Sequence, residues 1–173
     1  MMEMDFKSSI RTVEDWPKKG ISFKDITTLL KDAELLNAAI KDMAAPFKDD
    51  KVDLVVGPES RGFIFGVPVA LALGAGFVPV RKKGKLPSRT VSVSYELEYG
   101  TDTLEMHEDA IKKGQRVLLV DDLLATGGTI SAVTEMCERV GAVIVGLSFM
   151  IELDFLNGRE RLKGRRINSI VRY

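Results

Sequence analysis

Two adjacent acids, followed by a loop with almost no side chains, are the residues best suited to hold a ligand. The stretch RVLLVDDLLATGGTIS, residues 116–131, places Asp121 and Asp122 directly after four apolar residues. The loop Ala125-Thr126-Gly127-Gly128-Thr129 then leads into a segment with helical periodicity. Such a loop can bind phosphate, because glycines allow close backbone approach and a helix start carries partial positive charge. A tight strand-to-helix turn would produce the same loop, so the loop alone decides nothing.

The two acids favour a particular ligand. Carboxylates beside a phosphate would repel it, unless the ligand also carries hydroxyls or a metal ion lies nearby. A carboxylate accepts hydroxyl hydrogen bonds worth about 1.5–3 kcal/mol each. A ribose 5-phosphate satisfies both halves, with its diol on Asp121 and Asp122 and its phosphate in the loop. The alternative, that Asp122 caps the following helix, explains only one of the acids.

Two further segments carry charges suited to a second anionic group. Ser60 and Arg61 follow a short apolar stretch, and the basic run RKKGK begins at Arg81. A basic run is usually a solvated surface. Beside a sugar-phosphate pocket, however, it would neutralise a second charged group, and pyrophosphate on the anomeric carbon is the natural candidate.

A parallel sheet covered on both faces would position these segments. Apolar stretches typical of buried strands lie at 52–57, 77–80, 117–120 and 142–151. They alternate with helical patterns at 33–45, with Asp32 as the N-cap, at 62–73 and from Gly128 onward. In such sheets ligands bind beyond the carboxyl ends of the strands. The charged and glycine-rich segments all follow strands, so they are predicted to meet at one edge.

A different periodicity occupies residues 88–106. RTVSVSYELEYG alternates apolar and polar residues, which is typical of a half-exposed strand, and TLEM alternates again on the return. This pattern predicts an antiparallel hairpin inserted into the parallel fold and long enough to cover the strand ends as a lid. His107 is predicted to begin a surface helix.

Composition limits the function classes. The 173 residues predict one domain, and the net charge of zero argues against nucleic-acid binding. The charge-free stretch 62–80 is interrupted by glycines and prolines, so no membrane span is expected. The single cysteine, Cys137, and the single histidine exclude a disulfide within the chain and a Cys/His zinc cluster. No signal-peptide pattern is visible, and the expected setting is cytoplasmic.

VLLVDDLLATGGT resembles the signature of the type I phosphoribosyltransferases, which use 5-phosphoribosyl-1-pyrophosphate. The segments GISFKDITTLLKD, GPESRGFIFGVPVA, PVRKKGKLP, YELEYGTDTLEMHEDAI and IELDFLNGRERL are similar, in order, to family members that act on adenine. The resemblance implies one α/β domain over residues 1–173, with a central parallel sheet flanked by helices. It also implies a hairpin lid and a small hood formed by the N-terminal and C-terminal segments. The implied reaction gives AMP and pyrophosphate.

The resemblance also implies roles for individual residues. The ribose diol would lie on Asp121 and Asp122, and the 5-phosphate on residues 125–129. The pyrophosphate group would lie near Glu59, Ser60, Arg61, Arg81, Lys82 and Lys85. Mg2+ would be held mainly by the substrate oxygens, and Arg61 would help to stabilise the leaving charge. Arg81 is expected to reach across a homodimer interface, and the Glu59–Ser60 peptide bond is expected to be cis.

The base pocket is likewise implied by the resemblance. Adenine would lie between Phe23 and Leu153, with the backbone of Ser22 and Lys24 reading the edge of the ring. Many relatives have arginine at the position of Lys24, and lysine lacks the planar fork of arginine, so a backbone role is the one expected there. Glu98 would act as the general base, and Tyr99 would help the lid to close.

Two other functions compete with this interpretation. A relative that acts on a 6-oxopurine (guanine, hypoxanthine or xanthine) would typically need a lysine near the base, and IELDFLNG contains none. A non-catalytic regulator that senses phosphoribosyl pyrophosphate would need a DNA-binding extension or a basic face, and neither is evident.

Overall fold

The computed structural model describes residues 4–97 and 100–173. Its helices are α1 (Phe6–Ser9), α2 (Thr27–Leu30), α3 (Ala33–Ala44), α4 (Arg61–Leu73) and α5 (Gly128–Arg139). Its strands are β1 (Arg11–Val13), β2 (Phe23–Asp25), β3 (Leu54–Pro58), β4 (Gly76–Lys82), β5 (Thr90–Leu97), β6 (Gly100–His107), β7 (Arg116–Leu124), β8 (Val143–Glu152) and β9 (Ile167–Arg172). Short 3-10 turns lie at Ala45–Phe47, Asp154–Leu156 and Gly158–Leu162.

A sheet with the strand order β5-β6-β4-β3-β7-β8-β9 forms the centre of the described chain. Strands β4, β3, β7, β8 and β9 pair in parallel. The β5–β6 hairpin joins this sheet antiparallel to β4, where Arg81 is paired with Glu105 and Lys82 with Leu104. The α/β fold with a central parallel sheet and an inserted hairpin is therefore confirmed.

The core lies on both faces of the sheet because its central strands are apolar on both sides. Val55 and Leu118 are fully buried in the cluster that contains α3 and α4, whereas Val56 and Leu119 are fully buried in the cluster that contains α5. Cys137 on α5 is a free, fully buried thiol in the second cluster. Burial on both faces explains the near-continuous apolar runs in the sequence.

Local signals fix the helix boundaries. The carboxylate of Asp32 accepts hydrogen bonds from the N–H groups of Glu34 and Leu35, so Asp32 caps α3 as predicted. Helix α4 ends at Gly74, whose φ of 66° lies in the left-handed region that glycine adopts without strain. No helix in residues 4–97 and 100–173 is long and apolar enough to cross a membrane.

The predicted helix at His107 is wrong. His107 is the last residue of β6 and is paired with Thr90, and the N–H of Glu108 donates to the carbonyl of Arg89 at 3.0 Å. Cross-strand pairing therefore extends to the end of the hairpin and leaves no room for a helix start. Strand β7 also differs from its prediction, because it continues past Val120 through both acids to Leu124.

The N-terminal and C-terminal segments meet beside the sheet, as expected for the hood. Strands β1 and β2 form a small antiparallel sheet in which Val13 is paired with Phe23. The ammonium groups of Lys24 and Lys7 lie 4.3 Å and 4.6 Å from the ring centroid of Tyr173. These cation–π contacts attach the β1–β2 sheet and α1 to the end of the chain.

Candidate active site

A cavity of about 480 Å3 lies at the carboxyl ends of β3, β4 and β7. It is lined by Glu59, Ser60 and Arg61 after β3, by Lys82 at the end of β4, and by residues 121–130. The three segments that the sequence analysis predicted to meet therefore do meet, because parallel strands direct their carboxyl ends to the same edge.

The glycine-rich loop enters α5 through a left-handed residue. Gly127 is the N-cap of α5 with φ of 81°, and its carbonyl accepts the N–H of Ser131 at 2.9 Å. The first N–H groups of a helix have no partner within the helix and point outward. Residues 125–129 therefore present main-chain donors and two threonine hydroxyls toward the cavity, which is the chemistry that binds a phosphate.

The two acids occupy different environments. The Asp122 carboxylate, whose side chain is 9% exposed, pairs with Nε of Arg61 at 2.7 Å. The Asp121 carboxylate accepts the N–H of Asp122 at 2.8 Å. Burial, reinforced by the neighbouring Asp122 charge, raises the pKa of Asp121 well above its ordinary value. Because Gly127 and not Asp122 is the cap of α5, the helix-capping alternative for Asp122 is wrong.

The basic segment is organised by one carboxylate. Glu59 lies 2.9 Å from Nζ of Lys85 and 3.3 Å from Nε of Arg81, and it accepts the N–H of Lys82 at 2.7 Å. Burial acts to raise the pKa of Glu59, but the hydrogen bond from Lys85 and the other contacts outweigh it and hold the pKa below its ordinary value. The Glu59–Ser60 peptide bond is cis, as expected.

Not all of the expected pyrophosphate residues line the cavity. Lys82 lines it, while its ammonium group lies 3.2 Å from the carboxylate of Asp102 on β6. Arg81 and Lys85 are outside the lining and are connected to it through Glu59. Each of these cations therefore has a carboxylate partner.

The residues expected to hold the base lie next to the cavity and not in its lining. Phe23 packs edge-to-face against Trp16, with 4.5 Å between ring centroids, and its ring lies 5.6 Å from the guanidinium carbon of Arg61. Leu153 is 9% exposed, and its N–H donates to the carbonyl of Leu124 at 3.0 Å. Arg61 thus connects the Phe23 side to the acids, and Leu153 adjoins the start of the glycine-rich loop.

The side chain of Lys24 has a structural partner. Its ammonium group donates to the hydroxyls of Thr12 at 3.1 Å and Ser22 at 3.2 Å, in addition to its contact with Tyr173. The side chain therefore joins the two parts of the hood. The expected backbone contacts of Ser22 and Lys24 with a base stay a prediction.

The expected base Glu98 and the lid residue Tyr99 lie outside the described residues. Strand β5, which precedes them, contacts the glycine-rich loop. The hydroxyl of Tyr95 is 3.4 Å from that of Thr129, and a β-carbon on Gly128 would lie 3.7 Å from the Tyr95 ring. The hairpin is therefore packed against the start of α5.

Two polar residues and one glycine near the site carry no strong signal in the sequence. Glu152 at the end of β8 is 3% exposed, and its carboxylate accepts hydrogen bonds from Nε and Nη2 of Arg159. Gly158, which precedes Arg159, touches the backbone of the glycine-rich loop. Only the Asn-Gly dipeptide at 157–158, a common turn signal, hints at a special backbone there.

Metal binding by protein groups alone is not indicated. Within the described ranges no group of three or more His, Cys, Asp or Glu could hold a metal ion. Asp121 and Asp122 are, however, two adjacent carboxylates at the cavity. One or two carboxylates that share a magnesium ion with substrate phosphates are the usual arrangement for Mg2+, and this pair fits it.

A parallel sheet whose strand ends combine paired acids, a glycine-rich helix start and a basic segment defines a protein class that handles sugar phosphates. A family model described as phosphoribosyl transferase domain matches residues 27–163. The chain therefore belongs to the phosphoribosyl transferase family.

Its relatives narrow the assignment within the family. An adenine phosphoribosyltransferase from Clostridium perfringens is 62% identical over 170 residues, covering 98% of this chain and 99% of that protein. The crystal structure of adenine phosphoribosyltransferase from Thermoanaerobacter pseudethanolicus is 53% identical, with a TM-score of 0.94 and 98% of each chain covered.

A yeast relative in the same branch was solved with ligands bound. The Saccharomyces cerevisiae adenine phosphoribosyltransferase was solved with D-2,5-dideoxy-2,5-imino-altritol 1,6-bisphosphate and adenine. It is 39% identical, covers 96% of each chain and has a TM-score of 0.91. The chain is thus a member of the adenine phosphoribosyltransferase branch.

Proposed function

We propose that the protein transfers the 5-phosphoribosyl group of phosphoribosyl pyrophosphate to adenine, giving AMP and pyrophosphate. The observation that carries this proposal is the meeting of Asp121, Asp122 and the glycine-rich loop in one cavity of about 480 Å3. The relatives in the same branch, named as adenine phosphoribosyltransferases at up to 62% identity, support adenine as the acceptor.

The ribose 5-phosphate half of the substrate binds to the β7–α5 segment. The main-chain donors of residues 125–129 receive the phosphate, and the carboxylates of Asp121 and Asp122 accept the hydroxyl hydrogens of the ribose. Asp122 already pairs with Arg61 at 2.7 Å, so the guanidinium exchanges this carboxylate for substrate oxygens. Arg61 and Ser60 then face the pyrophosphate.

The leaving pyrophosphate is stabilised by positive charge. Arg61 and Lys82 line the cavity, and Arg81 and Lys85 are held beside it by Glu59. As the bond at the anomeric carbon stretches, charge collects on the pyrophosphate and these cations neutralise it. Mg2+, when bound, supplies further neutralisation at the same oxygens, and Asp121 and Asp122 would help to hold it.

The base is enclosed by Phe23 and Leu153, with the backbone of Ser22 and Lys24 at its edge. Glu98 removes the proton from the attacking ring nitrogen, an effect typically worth about 10²–10⁴-fold in rate. Tyr99, next to Glu98, helps the hairpin to exclude water from the electrophilic sugar. The contact of Tyr95 with Thr129 supports this arrangement, because it ties β5 to the phosphate side.

The protein acts as a homodimer in the cytoplasm, with no nucleic-acid or membrane partner. Helix α4 presents Ile64, Val67 and Leu71, which are 40%, 41% and 76% exposed and follow helical spacing on one face. A second copy of the chain is the occupant of this face, and Arg81 reaches toward it. Light scattering should give about twice the 19.1 kDa chain mass, and Leu71→Glu should shift the protein toward monomer. A monomeric wild type would contradict the dimer.

The function is tested by pyrophosphate release. Mg2+ and phosphoribosyl pyrophosphate are combined with adenine, hypoxanthine, guanine, xanthine or orotate, each in a separate reaction. Release with adenine alone is expected. Release with a 6-oxopurine would overturn the base assignment and keep the phosphate chemistry. If no base releases pyrophosphate although phosphoribosyl pyrophosphate binds, the protein is a sensor.

A further inference from the structure

The glycine-rich loop rests on a second part of the chain, the segment Leu153–Leu162. A β-carbon added at Gly158 would lie 2.3 Å from the carbonyl oxygen of Ala125, and one added at Gly127 would lie 2.7 Å from the carbonyl oxygen of Gly158. Both contacts are made by backbone atoms, which cannot rotate away as a flexible side chain would. Glycine is therefore the residue that fits at both positions.

The segment is held in place by an ion pair between the buried carboxylate of Glu152 and the partly exposed guanidinium of Arg159. Nε and Nη2 of Arg159 donate to the two carboxylate oxygens of Glu152 at 2.6 Å and 2.7 Å. Glu152 is 3% exposed and also accepts the Ser169 hydroxyl on β9 at 2.6 Å. Because this two-point fork leaves Arg159 little freedom, it also fixes the position of its neighbour, Gly158.

The other end of the segment is attached to the loop directly. The N–H of Leu153 donates to the carbonyl of Leu124, the residue before the glycine-rich loop, at 3.0 Å. The side chain of Leu124 also lies against Gly158, where an added β-carbon would approach Cδ1 to 2.9 Å. The loop is thus supported at Leu124 by Leu153 and between Ala125 and Gly127 by Gly158.

We propose that Gly158 and Arg159 are positioning residues, which hold the backbone of residues 125–128 in the conformation that receives the 5-phosphate. This rests on the proposed function for the identity of the substrate. The contacts through which the two residues act lie on the other side of the cavity, with Leu124, Ala125, Gly127, Glu152 and Ser169. The two should therefore affect 5-phosphate binding and leave pyrophosphate binding unchanged.

The test compares two glycines of the same region. Gly158→Ala places a methyl group against the Ala125 carbonyl, whereas the carbon added by Gly164→Ala, beyond the segment, has no atom within 4 Å. The φ of 78° at Gly164 strains an alanine there, so this variant controls for lost stability without contact with the glycine-rich loop. We expect Gly158→Ala to raise the KM for phosphoribosyl pyrophosphate and the Kd for ribose 5-phosphate by at least tenfold. The KM for pyrophosphate in the reverse reaction should change by less than twofold, and Gly164→Ala should leave all three near the wild-type values.

Arg159→Lys keeps the positive charge and loses the fork, so it tests the support without adding atoms. It should raise the Kd for ribose 5-phosphate by about threefold to tenfold. Thermal unfolding of every variant identifies any that is merely unstable, because loss of folded protein lowers the amount of active enzyme without changing a KM. This second variant also decides the question if Gly158→Ala does not fold.

The outcomes separate this proposal from the proposed function. Unchanged ribose 5-phosphate binding in folded Gly158→Ala and Arg159→Lys would overturn the positioning role, whatever the activity. A rise in the KM for pyrophosphate as large as the rise in the Kd for ribose 5-phosphate would also overturn the positioning role, because the effect would not be confined to the glycine-rich loop. A wild type that binds ribose 5-phosphate and phosphoribosyl pyrophosphate but does not transfer the phosphoribosyl group of the latter to adenine would refute the proposed function alone.

Discussion

The two sides of the cavity obtain their geometry in different ways. On the β7–α5 side, the groups that face the ligand belong largely to the main chain, and their positions follow from Gly127 and from the start of α5. On the β3–β4 side they are long cationic side chains that are held by carboxylates, Arg61 by Asp122 and Lys82 by Asp102. Beside the cavity, Lys85 is held in the same way by Glu59.

The β7–α5 side is therefore fixed before a ligand binds, whereas the cations of the β3–β4 side exchange their carboxylate partners for the ligand. Main-chain donors require no rearrangement when a phosphate arrives, because nothing has to be released. The cations must give up carboxylate partners before they can hold pyrophosphate, and their own side chains are 44%, 59% and 48% exposed, so they can reach a new partner without crossing the core. The partners therefore keep the cations in place while they can be exchanged cheaply.

Asp122→Asn is expected to cause the largest loss of activity. Asp122 lies on the β7–α5 side of the cavity and also holds Arg61 of the β3–β4 side. The amide accepts ribose hydroxyls more weakly than a carboxylate does, and kcat/KM for phosphoribosyl pyrophosphate should fall by about 100-fold, or roughly 3 kcal/mol. Steady-state kinetics with adenine in excess measures the loss.

Asp102→Asn is the matched control for this change. Asp102 also pairs with a cation of the site, at 3.2 Å from Lys82, but it does not line the cavity. Its loss should cost less than about fivefold, as for other exposed pairs. Near-normal activity of a folded Asp122→Asn would refute the diol role of Asp122.

Glu59→Gln tests the exchangeable side alone. The amide can still accept the Lys82 N–H but cannot pair with Lys85 and Arg81, so these like charges should move apart. We expect the KM for pyrophosphate in the reverse reaction to rise by about tenfold, equivalent to about 1.4 kcal/mol. The Kd for ribose 5-phosphate, measured by calorimetry, should stay within twofold.

The control for Glu59 is Glu108→Gln, whose carboxylate is 49% exposed and lies 3.8 Å from Arg89. It should change neither constant. If Glu59→Gln weakened the binding of pyrophosphate and of ribose 5-phosphate equally, the two sides of the cavity would not be independent.

Asp121→Asn addresses the stability of the fold, on which its effect should be small. Because the pKa of Asp121 is raised in the folded protein without ligand, that state keeps a proton that the unfolded chain has lost, and Asp121 must release this proton before it can act as a carboxylate toward the ribose or Mg2+. The stability of that state therefore falls as the pH rises from about 4 toward the raised pKa. At pH 8 the variant should therefore unfold at a higher temperature than the wild type.

Thermal melts at several pH values check this expectation. The gain should disappear near pH 3.5, where Asp121 is protonated in both states. The same variant should lose activity, so its effects on stability and function would have opposite signs. A gain that persisted at pH 3.5 would point to another cause.

The elements with strong local signals were predictable from the sequence. The apolar runs identified β3, β4, β7 and β8, and Asp32 identified the start of α3. Strand β9 was missed because its place beside β8 depends on distant pairs such as Leu147 with Ile167. The wrong helix at His107 has the same origin, since pairing with Thr90 decided its conformation.

The candidate site divides in the same way. The acids and the glycine-rich loop lie in one stretch of the sequence, so their residue types and spacing indicate a phosphate site. The ion pair of Arg61 with Asp122 joins two strands that are separated in sequence, and no periodicity reveals it. The contact of Gly158 with Ala125 depends on how one loop folds back on another, and only the folded structure shows it.

The buried thiol on α5 makes the unfolding of this helix chemically visible. Cys137 is the single cysteine of the chain, and burial, with a smaller contribution from Glu138, raises its pKa to about 12. An alkylating reagent reacts with thiolate that it can reach, so labelling should occur only when α5 opens. The labelling rate therefore measures how often α5, the helix that begins at the glycine-rich loop, opens. Bound ribose 5-phosphate should lower the labelling rate.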